Sequence, residues 1–173
     1  MLRAILMVLT LTVLGACVPE PQSTLGPDGK PLPRVYRIRA ADESTIQFRM
    51  LDAVNALRSA AGHPEVALEP RLTAAAETHA RDMALQNRPW HFGSDGSSPI
   101  DRAARVGYDG TLLGENISET FETEMETLAA WMDNPNTRRI ILEPSATHMG
   151  FGWLQEPSGK LWWVLEIGGV VRG

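Results

Sequence analysis

His148-Met149-Gly150-Phe151-Gly152-Trp153-Leu154, then a turn through Glu156-Pro157-Ser158-Gly159-Lys160, then Leu161-Trp162-Trp163-Val164-Leu165-Glu166-Ile167: this stretch decides the fold class. Two apolar, aromatic-rich runs flank a Pro/Gly turn, so they predict two strands joined as an antiparallel hairpin. The regular elements that precede them in the domain read as helices, with one exception. Ser44 is a candidate N-cap for a helix ending at Gly62, with Ile46, Met50, Val54 and Leu57 on one stripe. Pro70 suits the first turn of a second helix, whose face carries Leu72, Ala75, Ala76, His79 and Met83. Ser98-Pro99 opens a short helix closed by Gly107, and a third long helix runs from about Glu122 to Asp133, stopping at Asn134-Pro135. Between them Leu112 to Ser118 reads as a strand entered through Gly114. Helices come first and the late strands pair antiparallel. The class is α+β, with helices covering a small, mainly antiparallel sheet.

The chain has 173 residues, 43% of them hydrophobic and 21% charged, which is ordinary globular composition. A net charge of -5, with no basic stripe, argues against a nucleic-acid partner. All five tryptophans, from Trp90 onward, lie in the second half. No P-loop, Gly-x-Ser-x-Gly elbow, His-Glu-x-x-His or dinucleotide glycine fingerprint occurs, so no cofactor is expected. A monomer is expected.

Residues 1–16 form a secretory signal: Arg3, an apolar run from Ala4 to Val13, then Leu14-Gly15-Ala16 before Cys17. The run is too short for a bilayer, which needs about 20 apolar residues. Leu-Gly-Ala-Cys resembles the bacterial lipobox, which implies cleavage before Cys17 and lipid on its sulfur. Lipid consumes the one thiol, so neither a disulfide nor a thiolate metal site is expected. Residues 17–43 are rich in Pro and Gly and read as a tether, and residues 44–173 as the domain. Tyr36 and Ile38 alternate with Arg37 and Arg39, a pattern that fits either a short docking strand or a basic stem near headgroups. The protein is thus expected in the cell envelope, anchored to a membrane and facing the periplasm or exterior. Val18 is not the aspartate that resembles a retention signal, which favours the outer membrane in a Gram-negative cell.

Ordered landmarks then resemble a family. Ala80-Arg81-Asp82-Met83-Ala84 is followed by His91-Phe92-Gly93-Ser94-Asp95-Gly96-Ser97, Asp101-Arg102 and Gly107-Tyr108. After these come Gly114-Glu115-Asn116-Ile117 and Trp131-Met132-Asp133-Asn134-Pro135. The set is similar to the CAP superfamily, or SCP domains, over about Phe48 to Gly168. The resemblance implies an α/β/α sandwich and a cavity of two histidines and two acidic residues, sometimes with a divalent metal. His91 matches the first histidine and Glu115 the glutamate of Gly-Glu-Asn. The bacterial pattern after the tryptophan is Ser-Pro-Gly-His-Arg. Here Thr137 stands where the second histidine belongs, and Asn134 where many relatives keep a carboxylate or serine.

The candidate cavity set is therefore His91, Glu115, Asn134, Thr137 and His148, with no metal and no catalytic residue assigned. An imidazole beside a carboxylate can bind a metal, move a proton or orient a water. Zinc sites normally show three protein ligands, and two residues do not make one. His148 is the possible replacement ligand, though a lone histidine at a strand start reads first as solvent-facing. His79 reads as a hydrogen-bonded, half-buried packing residue. Strand alternation puts Glu166 with Trp162 and Val164, and a solvated carboxylate is the expected state; if that face is covered it needs a partner such as Arg138 or Arg139. The function expected is a membrane-tethered envelope module binding a lipid, glycan or protein. The alternative is a hydrolase using His91 and Glu115, metal-assisted through His148.

Overall fold

All nine residues of the last strand, Leu161–Gly169, are buried. A strand covered on both faces needs a layer on each side. The computed structural model, which describes residues 36–120 and 122–170, has that build. Its helices are α1 (Glu43–Ala60), α2 (Pro70–Gln86), α3 (Pro99–Arg105), α4 (Glu124–Asp133) and α5 (Pro135–Ile141). Its strands are β1 (Ala67–Leu68), β2 (Thr111–Thr120), β3 (His148–Gln155) and β4 (Leu161–Gly169), in the sheet order β1-β3-β4-β2. Both β3 and β2 run antiparallel to β4, and β1 adds a two-residue parallel bridge to β3. The α+β class expected from the element order, and the sandwich that the family resemblance implies, are the fold observed.

Alternation along β4 builds two cores. Ile46, Met50 and Val54 of α1 meet Leu128 and Trp131 of α4, Ile141 of α5, and Phe151, Trp163 and Leu165 of the sheet. Phe151 stacks on Trp163 with ring centroids 5.3 Å apart. On the other face Ala76, Ala80 and Met83 of α2 cover Trp162 and Val164. The adjacent tryptophans thus point to opposite sides of one strand. Helix α2 sits low on β3 because two of the strand's positions lack side chains. A Cβ on Gly150 would come within 2.3 Å of the Leu72 backbone, and one on Gly152 within 2.5 Å of the Glu77 backbone.

The structure departs from the sequence reading in several places. Helix α1 begins at Glu43, one residue ahead of Ser44. The chain does not leave helix at Pro135: Asn134 ends α4 and caps α5, its side chain accepting the Asn136 N–H at 2.9 Å. Proline at the first position of α5 is pre-set for helix and has no N–H to lose. The stem is neither strand nor a free basic segment. The Gln155 side chain donates to the Tyr36 carbonyl at 2.7 Å and accepts the Ile38 N–H at 3.0 Å, and both residues pack on the larger core. The Tyr36 hydroxyl donates to Glu124, a buried carboxylate also paired with Arg49 at 3.1 Å. The signal segment, Cys17 and the tether up to residue 35 lie outside the described residues. Among the described residues no helix is long and apolar enough to cross a membrane.

Candidate functional site

Glu115 projects from β2 towards α2, and two loop-borne groups reach it. Helix α2 ends at Asn87, which takes the left-handed conformation (φ 47°) and turns the chain back over the sheet. Asp82 then pins the returning loop by accepting the Ser94 N–H and hydroxyl at 2.7 and 2.6 Å. Ser98 and Asp101 form a reciprocal capping box that starts α3. These local features deliver His91 and Arg102 to one carboxylate. His91 Nδ1 lies 2.7 Å from Glu115 Oε1, and Arg102 Nη2 donates to Oε2 at 2.5 Å. Arg102 also donates to the His91 and Ser97 carbonyls, so it ties the loop to the strand.

Behind this pair lie two groups the sequence reading misplaced. Glu166 is directly opposite Glu115 in the β2–β4 ladder and fully buried, so it is not the solvated carboxylate expected. Neither Arg138 nor Arg139 serves it: its two oxygens have no hydrogen-bond partner among the described residues. The face it occupies is closed by α2, which alternation alone does not reveal. His79 is fully buried rather than half-buried, and among the described residues neither ring nitrogen has a hydrogen-bond partner; Nε2 stands 3.8 Å from Glu115 Oε1.

Burial and the neighbouring Glu115 charge push Glu166 well above the ordinary 4.5, so it is held protonated and neutral. Burial also pushes Glu115 up, but the hydrogen bond from His91 and the charge of Arg102 outweigh it. Its carboxyl is held below 4.5 and ionised. Burial lowers His79 below 6.5 against the pull of Glu115, which keeps that ring neutral. Two facing carboxyls with opposite shifts form a proton-holding and a charge-holding member.

Half of the His91 side chain is exposed, at the wall of a groove of about 320 Å³. Pro99, Ile100, Leu112 and Leu113 supply apolar lining, and Glu115 closes the floor. The other expected residues do not converge on it. His148, on β3, faces Gly168, and its Nδ1 lies 2.9 Å from the Tyr108 hydroxyl. The Thr137 hydroxyl donates to the Trp131 carbonyl at 2.6 Å, and the Thr137 carbonyl accepts from Asn116 at 3.0 Å. Asn116 alternates to the opposite face of β2 from Glu115, so α5 holds Thr137 on that far side. Asn134 is occupied as a helix cap.

The CAP family model, described as the cysteine-rich secretory protein family, matches residues 51–167. The chain belongs to this family. It is 30% identical over 125 residues to the protein YkwD of Bacillus subtilis (strain 168), covering 72% of this chain and 48% of that protein. The chain thus spans about half the length of this curated relative. Its fold is similar to that of an outer surface protein of Borrelia burgdorferi, with a TM-score of 0.68 and 15% identity over 80% of this chain and all of the other. It also resembles an extracellular SCP-domain protein of Bacillus anthracis, with a TM-score of 0.68 and 20% identity over 78% of this chain and 45% of the other.

A divalent metal is sometimes present in CAP cavities, and the donors here do not fit one. Both Glu115 oxygens are engaged, and a guanidinium sits where a cation would approach Oε2. At the family's second histidine position, Thr137 spends its hydroxyl within its own helix junction. Arg102 is the site residue that sequence reasoning missed. It stood in plain view in Asp101-Arg102, but no spacing rule links a helix residue to a strand 13 positions on.

Proposed function

We propose that this CAP-domain chain is a cell-envelope binding module, tethered through lipid on Cys17, that takes its ligand in the groove beside His91. One observation carries the reading: both oxygens of the Glu115 carboxylate are engaged inside the protein, by Arg102 and His91. A general base needs a free, basic lone pair aimed at the reacting proton. Here the most acidic oxygen pair of the groove is consumed by internal partners, while the apolar wall and the outer half of the imidazole face the groove. That combination suits recognition of an amphipathic lipid, glycan or protein group. Surface or extracellular placement of the relatives in Borrelia burgdorferi and Bacillus anthracis accords with an envelope location.

The tether is tested by fractionation. Wild type should pellet with membranes, and Cys17→Ser should move to the soluble fraction or retain its signal; a processed Cys17→Ser protein still in the membrane would refute the anchor. The groove is tested by placing a photo-crosslinking amino acid at position 100 in cells. Capture of an envelope component that drops with His91→Ala supports the reading. Capture equal to that from position 85, on the exposed Leu85 of α2, would sink it. Ester or peptide hydrolysis lost in His91→Ala would establish the hydrolase instead.

A further inference from the structure

Next to the groove, the loop after α2 shows large apolar side chains to solvent. Trp90 is 48% exposed and Phe92 49%, with the two rings edge to face at 6.0 Å. The Arg88 guanidinium lies 3.7 Å above the Trp90 ring. Ile100, at the mouth of the groove, is 66% exposed. The core does not need these side chains, and burying them against an apolar phase would be favourable. We propose that Arg88, Trp90 and Phe92 dock the domain onto the phospholipid surface to which it is tethered, an inference that rests on the Cys17 anchor.

Three observations select a bilayer surface as the occupant. The chemistry is interfacial: indole rings settle at headgroup depth, and a guanidinium pairs in two-pronged fashion with a phosphate. The carboxylates nearest the patch are already paired: Glu115 is 5% exposed and bound by Arg102, and Asp95 of the same loop pairs with Arg105, which blunts their repulsion of lipid phosphate. The position is also suitable. Lys160, in the turn between β3 and β4, donates to Asn87 at the end of α2, and Gln155, at the start of that turn, holds Tyr36. The segment carrying Trp90 therefore departs from the same end of the sheet at which Gln155 holds Tyr36. Even fully extended, the Cys17–Tyr36 segment reaches at most about 65 Å. Confinement on that scale gives a local concentration of roughly millimolar order, so a small patch suffices for reversible docking.

The test uses the mature chain from residue 17 with Cys17→Ser, which carries no lipid. It is mixed with phosphatidylcholine–phosphatidylglycerol vesicles whose acyl chains are brominated. Wild-type sequence should sediment with the vesicles and lose Trp90 fluorescence to bromine. Trp90→Ala with Phe92→Ala should weaken partitioning by about tenfold, as lost apolar area dictates. Arg88→Gln should weaken it on anionic vesicles only. An unchanged thermal midpoint in each variant checks folding. Absence of vesicle binding overturns the proposal, as does binding that the double variant leaves intact. Retention on peptidoglycan sacculi that the double variant loses, without vesicle binding, also overturns it and assigns the patch to a glycan. Because this chain bears no lipid, failure here leaves the anchor standing, and a soluble wild type in cells removes the anchor without touching the vesicle result.

Discussion

Glu166 faces Glu115 across the β2–β4 ladder, one carboxyl protonated and the other ionised. Side chains directly opposite each other in a ladder have Cβ atoms about 5 Å apart, and like charges there are destabilising. The buried pair is compatible with the fold because only one member carries charge.

Glu166→Gln should therefore keep the fold and flatten its pH dependence. Below about pH 4.5 folded and unfolded chains both hold the Glu166 proton. Above it the unfolded chain releases that proton while the folded chain retains it, so stability falls as pH rises towards the folded-state value. Glutamine has no proton to lose. Thermal midpoints of variant and wild type should lie closest near pH 4 and separate towards pH 8, with the variant ahead at neutral pH. A variant less stable at every pH would show that the carboxylic acid donates a bond glutamine cannot replace.

Arg102→Met leaves the Glu115 carboxylate buried without its guanidinium. Breaking one side of a buried pair costs about 3–5 kcal/mol, and urea denaturation should show a loss of that order. Glu115 contributes stability that is present above its unfolded value and lost as pH falls through its folded one. Removing Arg102 should move that acid limb to higher pH. Adding Glu115→Gln to Arg102→Met should recover part of the loss.

Calorimetry at neutral pH should show weak or no zinc binding by the wild-type mature chain. Arg102 competes for Glu115, and a threonine hydroxyl is a poor ligand for zinc beside imidazole. Thr137→His places an imidazole on the far side of β2 from Glu115 and should leave zinc binding unchanged. Tight stoichiometric uptake by the wild type, abolished by His148→Ala, would overturn this account and favour the hydrolase.

Gly150→Ala should destabilise by about 3 kcal/mol, because the new methyl would press on backbone of α2 rather than on a flexible side chain. His79 rides on α2, so the same substitution should also perturb its ring environment, visible as a shifted imidazole resonance.

The hairpin, the α1 and α2 stripes and the partnership of His91 with Glu115 were legible because each rests on a period or an ordered set of landmarks. What alternation cannot say is whether a face is covered. It grouped Glu166 with Trp162 and Val164 rightly, and only the placement of α2 decides that this face is dry. Strand β1 escaped because two residues carry no period. Helix α5 escaped because Asn134-Pro135 reads equally as a stop and as a cap followed by a first-turn proline. Arg102 and His79 needed tertiary geometry, since both meet Glu115 from separate elements.

The grip of Gln155 on Tyr36 and Ile38 has a mechanical consequence. A pull on the chain ahead of Tyr36 loads two hydrogen bonds from one side-chain amide before it loads any strand or helix. These bonds, with the Tyr36 hydroxyl on Glu124, would part first and pay out the 36–42 segment, about 20 Å of slack. The sheet beyond would still be intact. Under tension the molecule is built to lengthen before it unfolds, with Gln155 as the fuse.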